Sequence, residues 1–252
     1  MSGTVNFIGF PLLDRARQWG HTGRMEWIGF DADDTLWENE TFFRTTQAGF
    51  AELLNGYATP DRIAEHLYDT ERRNLDLYGY GIKGFMLSMV QTALDLTDRQ
   101  LPGAAIARIL EMGQEMLAHP VHLIEGAADV VTGLTDHPRI LITKGDVLDQ
   151  ERKIALSGLA QHFDAIEIVQ HKTPEAYAAV FARHGIAADR FLMVGNSVNS
   201  DILPVLQAGG HAALVPHALT WALEQGDDPD HTRFHRLERI TDVPGLIERL
   251  GC

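Results

Sequence analysis

Four short apolar runs, each giving way abruptly to polar residues, organise this chain. Trp27-Ile28-Gly29-Phe30 ends at Asp31, and Arg139-Ile140-Leu141-Ile142 ends at Thr143-Lys144-Gly145. Ala165-Ile166-Glu167-Ile168-Val169 leads to His171-Lys172-Thr173-Pro174, and Phe191-Leu192-Met193-Val194 runs into the polar loop Gly195 to Asp201. Runs of this length, bounded by turn residues, predict buried strands of an open α/β sheet. Ala212 to Pro216 predicts a fifth strand and Leu237 to Ile240 a sixth, before a closing helix around Val243 to Leu250. Thr173 and Pro174 read as N-cap and first residue of a helix. Between Trp37 and about Leu123 the strand pattern disappears. Successive helices are predicted there, with turn signals at Thr59-Pro60-Asp61 and Leu101-Pro102-Gly103.

Chemistry collects where these strands end, which is where an open α/β sheet binds its ligands. Asp31, Asp33, Asp34 and Thr35 follow the first strand. Three carboxylates in four residues repel one another unless a cation or a proton relieves the crowding, and a divalent metal does so directly. Asp31 and Asp33 are candidates for a nucleophile and a general acid/base. The same turn would also suit an acidic helix start, with Asp34 or Thr35 as N-cap. The other strand ends add the Thr143 hydroxyl, the Lys144 and Lys172 ammonium groups, a glycine at 145 that lets backbone approach a ligand, and an oxygen-rich loop of the kind hard cations prefer.

With these segments in view, the chain resembles the haloacid dehalogenase-like (HAD) hydrolase superfamily from about Glu26 to about Ile240. Asp31-Ala32-Asp33-Asp34-Thr35 matches the D-x-D-x-T signature, Thr143 the hydroxyl motif, Lys172 the lysine motif, and the loop ending at Asp201 the acidic motif, in the family's order. The resemblance implies an α/β fold: a Rossmann-like parallel sheet core flanked by helices (residues 26–37 and 124–252), an inserted α-helical cap (38–123) and an N-terminal extension (1–25). It also implies that Asp31 attacks phosphorus to form an aspartyl-phosphate, and that Asp33 protonates the leaving alcohol and later activates water. Thr143 and Lys172 would hold the transferring group, with Mg²⁺ held by Asp31, the Asp33 carbonyl and the acidic loop. Family members that cleave carbon–halogen bonds lack the acid at the Asp33 position, since halide leaves without a proton. Asn196 stands where the family's loop usually has its first carboxylate; an amide carbonyl still suits a hard cation but removes one charge. Asp201 then carries more weight, either as a direct ligand or through water.

Within the helical stretch, Tyr78 to Phe85 breaks the pattern with three glycines, and Tyr80 and Lys83 there are candidate substrate contacts beside Lys144 and Gly145. The segment also suits a plain helix–helix connection. Hinges are expected near Glu38 to Thr41 and near His119 to Gly126.

Composition narrows the partners. The 252 residues are 45% hydrophobic, enough for one substantial core and a small accessory domain. A net charge of −14 disfavours nucleic acid and anionic membrane surfaces. The only cysteine, Cys252, excludes an intrachain disulfide, and no run is long enough for a membrane span, so a cytoplasmic protein, monomer or homodimer, is expected. The histidines show no zinc-site spacing. These readings converge on a Mg²⁺-dependent phosphatase acting on a small phosphorylated metabolite. A phosphotransferase or mutase, a haloacid dehalogenase, and a catalytically silent binding domain are the alternatives.

Overall fold

The computed structural model describes residues 25–251. The N-terminal segment around Phe7-Ile8-Gly9-Phe10, expected as an extension, and Cys252 lie outside the described residues. Six strands form one wholly parallel sheet: β1 (Trp27–Phe30), β2 (Arg139–Lys144), β3 (Ala165–Val169), β4 (Phe191–Gly195), β5 (His211–Leu214) and β6 (Phe234–Arg236), in the order β3-β2-β1-β4-β5-β6. The order reverses direction between β1 and β4, so the chain leaves these two neighbours toward opposite flanks and opens a crevice at their C-terminal ends.

Each face of the sheet has its own apolar layer. Ile28 and Phe30 of β1 point into one, with Leu141, Val194 and the helices α5 (Ala127–Gly133) and α9 (Val243–Leu250). Ile140, Ile142, Phe191 and Met193 point into the other, against Tyr177 and Val180 of α7 (Pro174–His184) and Val205 of α8 (Leu203–Gln207). Gly29 faces this second layer, where an added Cβ would lie 2.4 Å from the Phe191 ring. The helix α6 (Val147–Ser157) follows β2, packing Ile154 into the first layer.

Four helices intervene between β1 and β2: α1 (Glu40–Leu53), α2 (Pro60–Tyr78), α3 (Ile82–Leu96) and α4 (Gly103–Ala118). Their inner faces bury Phe50, Ile63, Leu67, Phe85, Met89, Ile109 and Met112 in a third cluster built of insertion residues alone. Thr59 caps α2 by accepting from the Arg62 amide, and Pro60 fills its first position, as the turn signal predicts. The chain leaves and returns through adjacent segments. Trp37 pairs antiparallel with Leu123, the Glu38 amide donates to the His122 carbonyl at 2.9 Å, and the Ile124 amide to the Leu36 carbonyl at 2.9 Å.

Two elements differ from their sequence expectation. The sixth strand is Phe234–Arg236 and not Leu237 to Ile240: Leu237 and Ile240 are buried because the chain turns inward there, and a 3₁₀ turn starts at Ile240. The break expected over Tyr78 to Phe85 is confined to Gly79-Tyr80-Gly81. Positive φ at Gly79 (+71°) and Gly81 (+101°) makes the turn, and Lys83 to Phe85 already belong to α3. No described helix is long and apolar enough to cross a membrane.

Candidate active site

Asp31 is the first residue beyond β1, and its amide donates to the Val194 carbonyl of β4 at 2.9 Å, which fixes it over the crevice. The Lys172 ammonium lies between two carboxylates, 2.5 Å from Asp31 Oδ1 and 2.6 Å from Asp201 Oδ1. All three side chains are almost wholly buried. Burial and the Asp201 charge push the Asp31 carboxyl up to about 7 although Lys172 pulls it down. Burial alone would discharge Lys172, but the two carboxylates outweigh it and hold the ammonium well above its ordinary range. Thr173 and Pro174 start α7 as expected, Thr173 Oγ1 accepting from the Ala176 amide, and this anchors Lys172 one residue upstream.

The loop after β4 is built around Asp201. Its Oδ2 accepts from the Ser197 amide at 3.0 Å, so both of its oxygens are engaged. Ser197 caps a single π-helical turn (Val198–Ile202) by accepting from the Ser200 amide. A Cβ on Gly195 would fall 2.3 Å from Asp201 Cγ, so only glycine permits this close approach. Thr35 Oγ1 lies 3.3 Å from both Asp31 Oδ2 and Asn196 Oδ1, bringing these two acceptors to one place. Asp31 Oδ2 and Asn196 Oδ1 are thus hard oxygen donors at the mouth of a buried anionic pocket, which fits Mg²⁺. Asp201 anchors Lys172 and the loop, each of its oxygens accepting one hydrogen bond.

Asp33 faces a different set of partners. Its carboxylate accepts from Lys153 at 2.6 and 2.7 Å, from Gln150 Nε2 at 2.8 Å and from the Trp37 indole at 2.7 Å. Gln150 also accepts from the Thr143 hydroxyl at 3.2 Å, tying the end of β2 to Asp33. Asp34 takes the other role open to this turn. With φ of +60°, it turns back to accept the amides of Asn39 and Glu40 at the start of α1. Burial raises the Asp34 carboxyl to about 7 against those hydrogen bonds. Asp34, Glu38 and His217 present ligand-type atoms within 4.8 Å of one another beside this turn.

A cavity of about 140 Å³ lies above these groups, floored by the strand ends and roofed by α1, α2 and α3. Thr143, Gly145 and Tyr80 line it. Lys144 lines it too, stacked 4.3 Å over the Tyr80 ring, but its ammonium is held by Glu224 and by Ser200 Oγ at 2.7 Å. Lys83 does not line it: its ammonium pairs with Asp146 at 3.0 Å, half-exposed on the seam between α3 and α6. Arg44 pairs with Glu40.

Sequence reasoning missed Gln150, Lys153, Glu224 and Trp221. The first two sit three apart on α6 and so share a face, a legible pattern once that face is known to meet Asp33. Glu224 accepts from Lys144, Ser197 and Ser200; burial opposes its charge, but these partners hold its carboxyl below the ordinary range. It lies in an irregular segment, more than 20 residues from each of them, and leaves no local signal.

The geometry is that of a buried carboxylate beside a lysine, with a second carboxylate lining the same cavity. A haloacid dehalogenase-like hydrolase family model matches residues 25–209. A haloacid dehalogenase-like family hydrolase from Xanthomonas campestris superposes with a TM-score of 0.82 at 39% identity, covering 90% of this chain and 92% of that one. L-2-haloacid dehalogenase from Xanthobacter autotrophicus, with chloropropionic acid covalently bound, gives 0.62 at 15% identity, over 89% and 98%. A HAD phosphatase from Thermococcus onnurineus gives 0.58 at 18%, over 88% and 98%. The curated proteins contain no match. Family model, fold and the 39% identical hydrolase agree, and the chain belongs to the haloacid dehalogenase-like hydrolases.

Proposed function

We propose that the protein is a Mg²⁺-dependent phosphomonoester hydrolase acting on a small phosphorylated metabolite through a phospho-aspartate on Asp31. The observation that carries this reading is Asp33: a second carboxylate at the cavity, oriented by Lys153, Gln150 and Trp37. Expulsion of an alkoxide needs a proton donor, whereas halide leaves without one. The dehalogenase in the comparison shares the fold at 15% identity, which carries no reaction with it.

In this reading Asp31 Oδ attacks phosphorus while the ester P–O bond breaks, and the departing oxygen receives its proton through the Asp33 carboxyl. Asp33 then takes a proton from water as that water attacks phosphorus, which frees Asp31 and inorganic phosphate. Lys172 and the Thr143 hydroxyl hold the transferring oxygens, and most of the catalytic work is alignment and charge neutralisation. Mg²⁺, held by Asp31, Asn196 and the Asp33 carbonyl, would supply a further positive charge opposite the phosphoryl oxygens. The four-helix insertion acts as a cap: it roofs the cavity, excludes water during transfer and selects the leaving group. A reducing, cytoplasmic setting suits a chain with a single cysteine.

The test is hydrolysis of p-nitrophenyl phosphate across a Mg²⁺ titration. Metal-dependent turnover that Asp31→Asn abolishes supports the reading, and inertness toward every phosphomonoester with Mg²⁺ present overturns it.

A further inference from the structure

The cavity lining carries eight carboxylates and three lysines, and their pairing is uneven. Lys144 and Lys172 stand at strand ends and Lys153 on α6, and each is committed: Lys172 to Asp31 and Asp201, Lys153 to Asp33, Lys144 to Glu224. Asp34 accepts backbone amides, Asp149 pairs with Arg152, and Glu40 pairs with Arg44. The eighth, Glu71 of α2, lines the roof and, among the described residues, shows neither a hydrogen bond nor an ion pair. Around it the roof lines the cavity with amide, hydroxyl and carboxylate oxygens from Gln47, Asn74, Ser88 and Glu40; the nearby cation, Arg44, is paired with Glu40 and does not line the cavity. Asn74 has both amide hydrogens committed, to Ser88 Oγ at 3.0 Å and to Gln91 Oε1 at 3.2 Å, which leaves acceptors.

Resting on the phosphatase reading, we infer that Glu71 determines substrate specificity: the metabolite is a phosphomonoester bearing a primary ammonium group, which Glu71 receives in the roof while the phosphoryl group meets Asp31 and Lys172. A leaving group carrying a further anion would meet no uncommitted cation in this lining, whereas an ammonium would complete the single unmatched acid. Burial and the nearby Glu40 charge push the Glu71 carboxyl up to about 8, with Arg44 pulling it down, so a cation bound beside it would favour its ionised form.

The test compares isosteric pairs differing in ammonium against hydroxyl: glucosamine 6-phosphate with glucose 6-phosphate, and O-phosphoethanolamine with 2-hydroxyethyl phosphate. In the wild type the amine member of at least one pair is expected to have about tenfold or higher kcat/KM, the scale of a charge-assisted hydrogen bond. Glu71→Gln should bring that ratio close to one. Glucosamine and glucose as inhibitors of p-nitrophenyl phosphate turnover by the wild type read the same preference without a variant. If p-nitrophenyl phosphate is hydrolysed but no amine is preferred, or the preference survives Glu71→Gln, the inference is overturned and the phosphatase reading stands. If no phosphomonoester is hydrolysed, both fall.

Discussion

Replacing Lys172 with methionine isolates the charge that the buried site is built around. One ammonium now separates two carboxylate oxygens that lie within about 5 Å of each other. Methionine fills much of the same volume but leaves both acids without their shared partner in a region closed to water. Breaking a buried ion pair from one side costs about 3–5 kcal/mol. For a chain of this size each kcal/mol lowers Tm by roughly 2–4 °C, so a fall of roughly 6–20 °C is expected in chelator-treated protein. Asp31, already pushed up to about 7 with the lysine present, takes up a proton in the variant and softens the loss. An acid whose folded pKa is raised costs little where it is protonated in both states and progressively more as pH rises toward the folded value, so the deficit should be larger at pH 8 than at pH 5.5. Differential scanning calorimetry at the two pH values measures it, and phosphatase turnover should fall by about 10²–10³ in parallel. A Tm within 2 °C of wild type at both pH values would refute the buried-triad argument.

Lys153→Met should lower kcat about 10- to 100-fold with little change in KM, since Asp33 loses the partner that orients both its oxygens; steady-state kinetics beside a melting curve check this, and unchanged kcat removes Lys153 from the mechanism. Gly195→Ala forces a methyl group onto Asp201, which Lys172 and the Ser197 amide hold in place. Denaturant unfolding should show a loss of about 1–3 kcal/mol, and a neutral result would mean that the loop yields. Glu167 on β3 is held below its ordinary 4.5; burial opposes this, but His184 and Arg183 prevail. Its contribution is present above the unfolded pKa and disappears as pH falls through the folded one, so Glu167→Gln should cost about 1 kcal/mol at pH 7 and progressively less as pH falls below 4.5. A pH-independent difference contradicts that assignment.

The strand ends were legible because a sheet buried on both faces writes its strands as unbroken apolar runs, and whatever follows such a run sits at the crevice. Asp31, Thr143, Lys172 and Asp201 are brought together for that reason, although 170 positions separate the first from the last. Asp34 kept two readings open, and the structure realises it as the acceptor for the first amides of α1. What stayed hidden depends on pairing across the fold. Lys83 and Lys144 look alike in the sequence as cations beside glycines, yet each is drawn to a different distant acid, Asp146 and Glu224. The edge strand was misplaced by three residues because Leu237 and Ile240 advertise burial, while Phe234–Arg236, paired on one side only, alternates weakly. Glu71 carries no sequence signal at all: one acid on an acid-rich helix, distinguished only by what fails to meet it.

The paired exit and return of the chain at Trp37 and Leu123 has an engineering consequence. Because departure and arrival are stitched side by side, and the helices between them bury an apolar centre of their own, residues 40–118 are the stretch to exchange as a cassette. A helical segment from another protein, given compatible flanking residues, would inherit the same bridge between Trp37 and Leu123 and the same strand-end residues beneath it. Selectivity could then be exchanged with the roof, provided the incoming segment again presents an amide to Asp34 where Glu40 does now and an aromatic ring beneath Lys144.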